Sequence, residues 1–449
     1  MIIILSNHGE IQGGSASFKS EIRNRLTIEN PVWIENERLG RWNGNTPRLL
    51  HFYEDTPSGL ILPRGFFPQL ISMTRRFGET FQIEDRRRVL PEVDFQFRGQ
   101  LRIFQEEAVK AILRRDMGTL AAPPGSGKTV MALYLVSQRR QPALIIVHTK
   151  ELLNQWANRI EQFLGISSSE VGRIGDGERR VGEKISVALV QSLYKCASEV
   201  FCHIGYLIVD ECHRTPSRTF TEAVSAFDSK FITGLSATPW RRDRLSKLIY
   251  WYVGDVVHQA NGEDLVETGN VLRAEVIIRE TRFQPASNPS TEYSRMLSEL
   301  TEDPARNRLI SGDVAEEARN GGGICLVLSD RKAHCHALRN LLLQLNVQSE
   351  VLTGDLSDED RKLIVNGLNA GQVKVVIATG QLIGEGFDCK NLSTLFLTTP
   401  IRFDGRLIQY LGRVLRPAPG KEKARVYDYV DPVRVLQVAA AARGRVYAA

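Results

Sequence analysis

The chain has 449 residues, a formal net charge of +6, 42% hydrophobic residues and 24% charged residues. This composition is typical of a globular protein with about two or three domains, each able to bury a core. The six cysteines form no Cys-x-x-Cys pair and no apolar run approaches the ~20 residues that span a bilayer, which excludes a zinc ribbon, a disulfide framework and a transmembrane helix. We expect a cytoplasmic protein, and the mild basic excess is compatible with a polyanionic partner without requiring one.

The N-terminal segment, residues 1–98, has an irregular pattern in which aromatic, glycine and proline residues are mixed. Met1–Leu5 predicts a first β-strand, and the turn signals that follow indicate a small α+β domain. Four aromatic side chains here are candidates to stack on nucleic-acid bases, although packing in a core is the favoured interpretation. They are Trp33, Trp42, Phe66 and Phe67.

From residue 99 the pattern changes to short apolar runs that alternate with helical segments. Continuous apolar strands predict parallel sheets covered by helices on both faces. The rhythm occurs twice, which predicts one domain at residues 99–260 and another at residues 261–449, with residues 261–321 as a joining segment. The predicted strands are 119–122, 143–147, 185–190, 206–209, 231–235, 324–328, 347–352, 373–378, 394–397 and 425–429. The Ala- and Arg-rich run 438–449 is expected to be a frayed helix or a tail.

A glycine-rich stretch, Ala122–Thr129, follows a predicted strand and begins a predicted helix, which is the context of a phosphate-binding loop. Its glycines let several backbone N–H groups point at one phosphate, and the helix N-terminus adds the positive end of its dipole. Lys128 is expected to reach the β- and γ-phosphates of ATP, and Thr129 to bind Mg²⁺ through its hydroxyl. The residues expected to contact the nucleotide are Pro124, Gly125, Ser126, Gly127, Lys128 and Thr129.

Two carboxylates, Asp210 and Glu211, directly follow the apolar strand 206–209. The carboxyl ends of parallel strands meet at one edge of a sheet, so both side chains are expected beside the phosphate loop. We predict that Asp210 holds Mg²⁺ through water and that Glu211 orients and deprotonates the attacking water. Ser236-Ala237-Thr238 follows the next strand, and its hydroxyls are expected to bond to the acidic site and to the second domain.

The second predicted domain contains the stretch Gln409–Pro417, which places Arg413 and Arg416 three residues apart. Residues three apart on a helix share a face, so both guanidinium groups can point at a γ-phosphate bound by the first domain. We predict catalytic roles for Gln409, Arg413 and Arg416, the arginines neutralising charge in the transition state. A solvated basic helix explains this stretch equally well when it is taken alone.

Taken in order, the phosphate loop, Asp210-Glu211-Cys212-His213, Ser236-Ala237-Thr238 and Gln409–Arg416 resemble the motif set of superfamily 2 helicases, over roughly residues 101–431. Within that superfamily the chain is similar to the XPB-type and UvsW-type branch of DNA helicases. The resemblance implies an α/β fold of two tandem RecA-like domains behind the small α+β domain, which itself resembles the branch's DNA-engaging N-terminal domains. It also implies a short thumb-like element within residues 261–321. Arg241-Arg242-Asp243 stands where the XPB type has Arg-Glu-Asp.

The same resemblance implies roles for residues that no local pattern singles out. Leu101–Gln105 resembles the adenine-recognising segment, which assigns Arg102 and Gln105 to the nucleotide. Gly386 and Asp388 are implied to lie at the same site. The residues implied to lie near the phosphates of a bound strand are Thr149, Lys150, Gln191, Ser192, Arg331, Thr353, Gly354 and Thr379.

Together these features predict a monomeric, nucleic-acid-dependent ATPase that uses ATP and Mg²⁺ to move along or remodel DNA. In this mechanism ATP bridges the two domains, and each domain grips the backbone of one strand. Alternatives stay open: translocation on duplex DNA without strand separation, strand annealing, an ATP-switched loading module, or the motor subunit of a restriction or defence complex. RNA is also possible, since a motor that grips the backbone need not read bases, although the branch favours DNA.

Overall fold

The computed structural model describes the whole chain except residues 215–217, 238–245, 261, 268, 270, 381, 383–388, 390, 402–403, 419–420, 422 and 448–449. The chain divides into two compact units. The first unit contains Met1–Ala122 and Gly127–Ala260, and the second contains Asn261–Ala449 with Pro123–Ser126. Each unit is built around a sheet whose strands are mainly parallel.

The N-terminal part of the first unit is a small α+β fold. Its strands are β1 (Ile2–Leu5), β2 (Gly9–Gln12), β3 (Thr27–Glu29), β4 (Leu49–His51), β5 (Glu54–Asp55), β6 (Gly59–Leu62) and β7 (Gln82–Asp85), and its helices are α1 (Ala16–Arg25), α2 (Pro31–Arg38) and α3 (Phe67–Arg76). Five strands form a mixed sheet in the order β5-β6-β2-β1-β7, and β3 pairs with β4 separately. The predicted strand at Met1–Leu5 is therefore confirmed, at the bounds Ile2–Leu5.

The larger part of the first unit alternates strands and helices. Its strands are β8 (Met117–Ala121), β9 (Ala143–Val147), β10 (Gly172–Gly175), β11 (Glu178–Arg180), β12 (Ile185–Leu189), β13 (Tyr206–Val209), β14 (Phe231–Ser236) and β15 (Val256–Gln259). Its helices are α4 (Ile103–Leu113), α5 (Lys128–Arg139), α6 (Lys150–Leu164), α7 (Val190–Leu193), α8 (Ala197–Val200), α9 (Arg218–Ser225) and α10 (Ser246–Val253). The sheet order is β11-β10-β12-β9-β13-β14-β8-β15, and every described pairing except β10 with β11 is parallel.

Burial explains why this sheet was predictable from apolar runs. Every residue of β8, β9, β12 and β13 is buried, because helices cover both faces of a parallel sheet. Local signals also set the helix ends. Helix α6 begins after Thr149, whose hydroxyl accepts a hydrogen bond from the N–H of Leu152, and it ends at Gly165 with φ of 66°. The prediction of parallel sheets is confirmed, with strand ends shifted by a few residues.

The α+β part packs directly on the larger part of the first unit. Arg64 is buried and donates a hydrogen bond from Nη1 to the carbonyl oxygen of Ser229 at 2.8 Å. Burial lowers the pKa of Arg64 to about 10. Gly65 approaches the carbonyl of Tyr250 so closely that a Cβ would lie 2.6 Å from that oxygen. The N-terminal core also includes Trp251 of α10, so the two parts share apolar contacts.

The second unit has its own parallel sheet. Its strands are β16 (Ala274–Glu280), β17 (Ile324–Ser329), β18 (Glu350–Leu352), β19 (Val375–Thr379), β20 (Leu392–Leu397) and β21 (Ala424–Val430). Its helices are α11 (Gly262–Glu267), α12 (Tyr293–Glu302), α13 (Pro304–Asn320), α14 (Lys332–Gln344), α15 (Asp358–Asn369), α16 (Asp404–Val414) and α17 (Arg434–Tyr447). The sheet order is β16-β21-β20-β17-β19-β18, with all described pairings parallel.

The sequence pattern missed the first strand of this sheet. Strand β16 forms one edge of the sheet, where its described partner is β21, and the charged residues Glu275, Arg279 and Glu280 leave an apolar run of only three residues, 276–278. Residues 261–321 thus supply a strand and helices to the second unit. Helix α13 begins at Pro304 after Asp303, whose carboxylate accepts from the N–H of Arg306.

The C-terminal run is a packed helix, so the prediction of a frayed helix or a tail is wrong for the part that the structure describes. Arg443 of α17 is 4% exposed and its Nη2 lies 2.6 Å from Oδ1 of Asp428 in β21. The hydroxyl of Tyr447 donates to Oδ2 of the same carboxylate at 2.8 Å. This buried ion pair fixes the helix against the sheet, and composition alone gave no signal for it.

No described helix combines the length and the apolar character that crossing a bilayer requires. None of the six cysteines takes part in a disulfide bond. His334 and Cys335 of α14 are buried whereas His336 is exposed, so these neighbours point in different directions, as expected for ordinary helix residues.

Candidate nucleotide and nucleic-acid sites

The phosphate loop lies between the buried strand β8 and helix α5. Gly125 and Gly127 have φ of 85° and 83°, in the left-handed region that residues with a side chain rarely adopt. A Cβ on Gly127 would also lie 2.4 Å from Nε2 of Gln105. The backbone therefore requires glycine at both positions, as expected for a loop that wraps around a phosphate group.

Lys128 is the first residue of α5, and its ammonium group folds back over the loop. Nζ donates a hydrogen bond to the carbonyl oxygen of Ala122 at 2.8 Å. The N–H of Ala122 donates in turn to the carbonyl oxygen of Ser236 at 2.9 Å. Burial raises the pKa of Asp210 overall, whereas the positive charge of Lys128 favours the ionised carboxylate.

The two carboxylates follow β13, whose neighbours in the sheet are β9 and β14. Asp210 is 8% exposed, and both of its carboxylate oxygens accept hydrogen bonds: Oδ2 from Nε1 of Trp156 at 2.8 Å, and Oδ1 from the N–H of Glu211 at 2.9 Å. Burial raises the pKa of Asp210 to about 6, and the charge of Glu211 adds to this effect. The indole N–H and Lys128 oppose it by stabilising the ionised form.

Glu211 has an unusual backbone conformation. Its φ of 48° lies in the left-handed region, which costs on the order of 1 kcal/mol for a residue with a side chain. Its Oε2 is buried and accepts no hydrogen bond from the described residues, although Nδ1 of His213 lies 3.2 Å away. A buried carboxylate oxygen of this kind is suited to a water molecule or a substrate group. The strained turn thus places this carboxylate directly after Asp210 and beside His213.

His213 links the acidic pair to the end of the next strand. Its Nδ1 lies 3.0 Å from Oγ of Ser236, the last residue of β14. Ser236 is therefore connected to the acidic pair through His213, whose Nδ1 also lies 3.2 Å from Oε2 of Glu211. Thr238 and the Arg241-Arg242-Asp243 segment lie outside the described residues.

Gln105 and Arg102, assigned to adenine recognition by resemblance, stand at the start of α4. Oε1 of Gln105 accepts a hydrogen bond from the N–H of Arg102 at 3.0 Å, which caps the helix. Gln105 is 5% exposed, and its amide nitrogen faces Gly127 of the phosphate loop. The structure therefore brings this side chain and the loop together.

The donor set fits a nucleoside triphosphate with a divalent cation. A loop that requires glycine at two positions supplies backbone N–H groups, and Lys128 supplies a cation. The hydroxyl of Thr129 and the carboxylate of Asp210 are oxygen ligands, which Mg²⁺ prefers. No group of three or more His, Cys, Asp or Glu side chains that could hold a metal ion occurs in the described part of the chain. Mg²⁺ commonly binds one or two protein groups together with phosphates, and the oxygen atoms of Thr129 and Asp210 fit that mode of binding.

In the second unit, Gln409 and Arg413 lie on helix α16, four residues apart. The helix ends at Val414, so Arg416 lies beyond it, and the prediction that a helical face aligns both arginines is wrong for Arg416. Instead, Nζ of Lys421 donates to the carbonyl oxygens of Val414 and, at 2.8 Å, of Arg416. Burial, with the charge of Arg416, lowers the pKa of Lys421 to about 8. Lys421 thus holds the segment that follows the helix.

A second contact connects α16 to the end of β19. The hydroxyl of Tyr410 donates to the carbonyl oxygen of Gly380 at 2.8 Å, and a Cβ on Gly380 would lie 2.4 Å from that hydroxyl. Glycine is therefore required at 380 for this approach. Gly386 and Asp388, predicted at the nucleotide, lie outside the described residues.

The strand-binding residues predicted in the first unit follow neighbouring strands. Thr149 follows β9 and caps α6, and Lys150 begins that helix and forms an ion pair with Asp176. Gln191 and Ser192 lie in α7, directly after β12, which is adjacent to β9. All four predicted residues therefore lie at the same edge of the sheet.

The strand-binding residues predicted in the second unit follow the adjacent strands β17, β19 and β18. Arg331 precedes α14 and donates from Nη2 to Oγ of Ser294 at 3.2 Å. Thr379 ends β19, while Thr353 and Gly354 follow β18. Thr353 is only 4% exposed, so the exposed Gly354 offers the accessible backbone at this position.

The N-terminal aromatic side chains differ in burial. Phe66 is fully buried and Phe67 packs partly buried against the N-terminal core, which confirms the core interpretation for both. Trp33 is half-buried, with the guanidinium carbon of Arg48 5.2 Å from its ring centroid. Trp42 is 90% exposed, so the core interpretation is wrong for this residue.

Comparison with known proteins gives matches to two family models. The model described as type III restriction enzyme, res subunit, matches residues 98–241, and the helicase conserved C-terminal domain matches residues 307–418. The first match contains the phosphate loop and the acidic pair, and the second contains Arg331, Arg413 and Arg416. The two matched ranges therefore contain these sequence motifs.

Relatives and solved structures are similar to this chain in different parts. The DNA 3'-5' translocase XPB2 of Sulfurisphaera tokodaii is 37% identical over 166 residues, which is 37% of this chain and 37% of that protein, well under two thirds of its length. The ATP-dependent DNA helicase uvsW of Enterobacteria phage T4 is 23% identical over 447 residues, covering 92% of this chain and 87% of that protein. The structure of S. cerevisiae Dbp5 bound to RNA and ADP BeF3 matches with a TM-score of 0.57 at 14% identity, covering 77% and 87% of the two chains, which shows a shared fold.

Proposed function

The chain is a superfamily 2 helicase of the XPB-like and UvsW-like branch, and from this premise we propose that it couples ATP hydrolysis to movement along DNA. The observation that carries the proposal is the arrangement of Lys128, Asp210 and Glu211 beside a loop that only glycine can form. Such an arrangement can bind a triphosphate, hold a cation and direct a water molecule at one time.

We assign the first steps of the reaction to the first unit. Backbone N–H groups of residues 124–129 and the ammonium group of Lys128 bind the phosphates, for which Lys128 gives up its contact with Ala122. Thr129 and Asp210 hold Mg²⁺, which when bound neutralises phosphate charge. Glu211, whose buried oxygen accepts no hydrogen bond from the described residues, orients the attacking water and takes its proton.

We assign stabilisation of the developing phosphate charge to Arg413 and Arg416, with Gln409 as a further polar contact. Gln409 and Arg413 share a helix, and Lys421 holds the backbone that carries Arg416. The sheet of each unit has an edge that carries predicted strand-binding residues. A cycle that changes the spacing of these two edges moves the protein along a strand without reading its bases.

The choice of DNA as substrate rests on the relatives. The translocase XPB2 and the helicase uvsW are named as acting on DNA, whereas the more distant Dbp5 was solved with RNA. The formal charge of +6 is compatible with either polyanion.

The test is the rate of ATP hydrolysis with single-stranded, duplex and forked DNA beside RNA of matched sequence. We expect stimulation by DNA in the wild type and none in Lys128→Ala, with Lys184→Ala as a control for an exposed lysine. A Lys128→Ala variant that hydrolyses ATP like the wild type contradicts the assignment of the phosphate loop. Stronger stimulation by RNA than by DNA contradicts the choice of substrate.

A second candidate is the motor subunit of a restriction complex, favoured by the match of residues 98–241 to the res-subunit model. In this candidate function the protein would move on duplex DNA without separating its strands. Displacement of a third strand from a triplex by wild-type protein, with no unwinding of forked DNA, supports this candidate over a helicase that separates strands.

A further inference from the structure

The loop between α2 and β4 presents a tryptophan to solvent. Trp42 is 90% exposed, whereas the other described tryptophans are half-buried, as for Trp33, or buried, as for Trp156 and Trp251. An indole is among the largest apolar surfaces a side chain can offer, and soluble proteins normally cover it. A tryptophan held in solvent therefore points to a ligand that covers it.

Hydrogen bonds close the base of this loop, which we call the tryptophan loop (residues 39–47). Nδ2 of Asn30 donates to the carbonyl oxygen of Pro47 at 2.9 Å. The backbone N–H of Asn30 donates to the carbonyl oxygen of Arg48 at 2.8 Å. At the other end of the loop, the N–H of Arg41 donates to the carbonyl oxygen of Asn36 in α2 at 2.8 Å. The loop is thus tied at both ends to α2 and its cap.

The indole rests on the backbone of the loop. Gly44 has φ of 48°, and a Cβ built there would lie 3.0 Å from the ring of Trp42. A side chain at position 44 would therefore crowd the ring, and glycine leaves room for it. The exposure of 90% leaves the rest of the ring surface to solvent, which is the arrangement of a stacking platform.

The charge around the platform is positive. Residues 38–49 contain Arg38, Arg41 and Arg48 and no acidic residue. Arg38 forms an ion pair with Glu35 on α2, while Arg41 and Arg48 are exposed. Arg48 is positioned over the ring of Trp33. An exposed aromatic ring with exposed arginines on either side in the chain is complementary to a nucleotide, which offers a base and a phosphate.

We propose that the tryptophan loop binds an unpaired nucleotide of a nucleic-acid strand. Trp42 stacks on the base, while Arg41 and Arg48 contact phosphates on either side. The inference takes its class of partner, a nucleic-acid strand, from the proposed function. It adds a nucleic-acid contact outside the two RecA-like domains. Stacking needs a base that is not already paired within a duplex, so the loop prefers single-stranded or frayed DNA.

The test is the affinity of the full chain for a labelled 20-nucleotide single strand and for the same sequence as a duplex, measured by fluorescence anisotropy at several salt concentrations. Trp42→Ala is expected to weaken binding of the single strand by about tenfold, and Trp42→Phe to retain most of the affinity, because any aromatic ring can stack. Trp42→Ala leaves the dependence of log Kd on log salt unchanged. Arg41→Gln lowers that slope by about 0.7, the value for one lost phosphate contact on a single strand.

Three outcomes overturn the inference. The first is single-strand binding by Trp42→Ala equal to that of the wild type, which would leave the exposed ring to a protein partner. The second is a Trp42→Ala variant that loses as much affinity for the duplex as for the single strand. The third is a Trp42→Phe variant that binds the single strand as weakly as Trp42→Ala does. Wild-type protein that neither binds DNA nor hydrolyses ATP in its presence contradicts the proposed function instead, and the inference falls with it. Far-ultraviolet circular dichroism checks that each variant is folded.

Discussion

The indole N–H of Trp156 donates a hydrogen bond to Oδ2 of Asp210 over 2.8 Å. Trp156 is 2% exposed on the buried face of α6, and Asp210 follows β13, so a core residue of one element orients the carboxylate of another. The other oxygen, Oδ1, accepts from the N–H of Glu211. Both bonds favour the ionised carboxylate, which is the form that binds a cation.

The first prediction concerns this hydrogen bond. Trp156→Phe keeps an aromatic ring in the core but removes the donor, so the carboxylate of Asp210 loses its orientation. We expect the Mg²⁺ concentration for half-maximal ATP hydrolysis to rise by about tenfold. The affinity for Mn²⁺ in the presence of ATP, measured by electron paramagnetic resonance, is expected to fall in parallel. Trp251→Phe, in the N-terminal core, is the matched control, and an equal effect there contradicts the role of the bond.

The second prediction concerns Lys421, whose ammonium group holds the carbonyl oxygens of Val414 and Arg416. Lys421→Met removes both bonds and lets the backbone of Arg416 shift. If Arg416 acts on the phosphate, we expect kcat for ATP hydrolysis to fall by roughly tenfold, because small misplacements of a catalytic group are costly. The Kd for DNA stays near the wild-type value. Lys421→Arg rescues part of the rate, and the exposed Lys423→Met is the control; no change in kcat for Lys421→Met refutes the assignment.

The third prediction concerns stability of the second unit. Asp428 and Arg443 form a buried ion pair, with 1% and 4% exposure. Asp428→Asn leaves a buried guanidinium group without its countercharge, which costs about 3–5 kcal/mol. We expect a lower unfolding transition for that unit in differential scanning calorimetry. Glu275→Gln breaks the more exposed pair with Arg425 and is expected to cost at most about 1 kcal/mol. Equal effects of the two substitutions contradict this account.

The fourth prediction concerns pH. His334 is buried between Oγ of Ser329 and Oδ1 of Asn307, each 2.9 Å from a ring nitrogen, and burial lowers its pKa to about 3. In the unfolded chain the pKa is about 6.5. Because the folded pKa is the lower one, the stability that the neutral ring contributes is present above pH 6.5 and is lost progressively as pH falls towards 3. The difference in Tm between wild type and His334→Gln should therefore narrow from pH 7 to pH 5, and a constant difference contradicts the prediction.

Sequence reasoning found the elements whose signals are local. Gly125 and Gly127 follow the buried strand β8, and the acidic pair follows the buried strand β13. Each of these groups lies in one short stretch of sequence and can be recognised there. Strand β16 escaped notice because this edge strand carries three charged residues and an apolar run of only three residues, 276–278. The end of α16 at Val414 was also missed, although Pro417 directly follows Arg416 and disfavours a helical backbone at the residue before it.

Contacts between distant residues could not be found in this way. Trp156 stands at the spacing of a core face on α6, and nothing in the sequence shows that its N–H meets Asp210. The same holds for Lys421 and for the pairing of Arg443 with Asp428. The exposure of Trp42 depends on how the loop is tied to Asn30, which only the folded chain shows.

The central claim is that ATP hydrolysis moves the protein along DNA, and displacement of streptavidin from the biotinylated end of a single-stranded oligonucleotide measures it most directly. We predict that wild-type protein with ATP and Mg²⁺ displaces streptavidin. Glu211→Gln is expected to bind the oligonucleotide and ATP with near-normal affinity but to displace streptavidin at least about a hundredfold more slowly, because it lacks the base for the attacking water. Displacement by Glu211→Gln at the wild-type rate, or by wild type with a non-hydrolysable ATP analogue, contradicts the account.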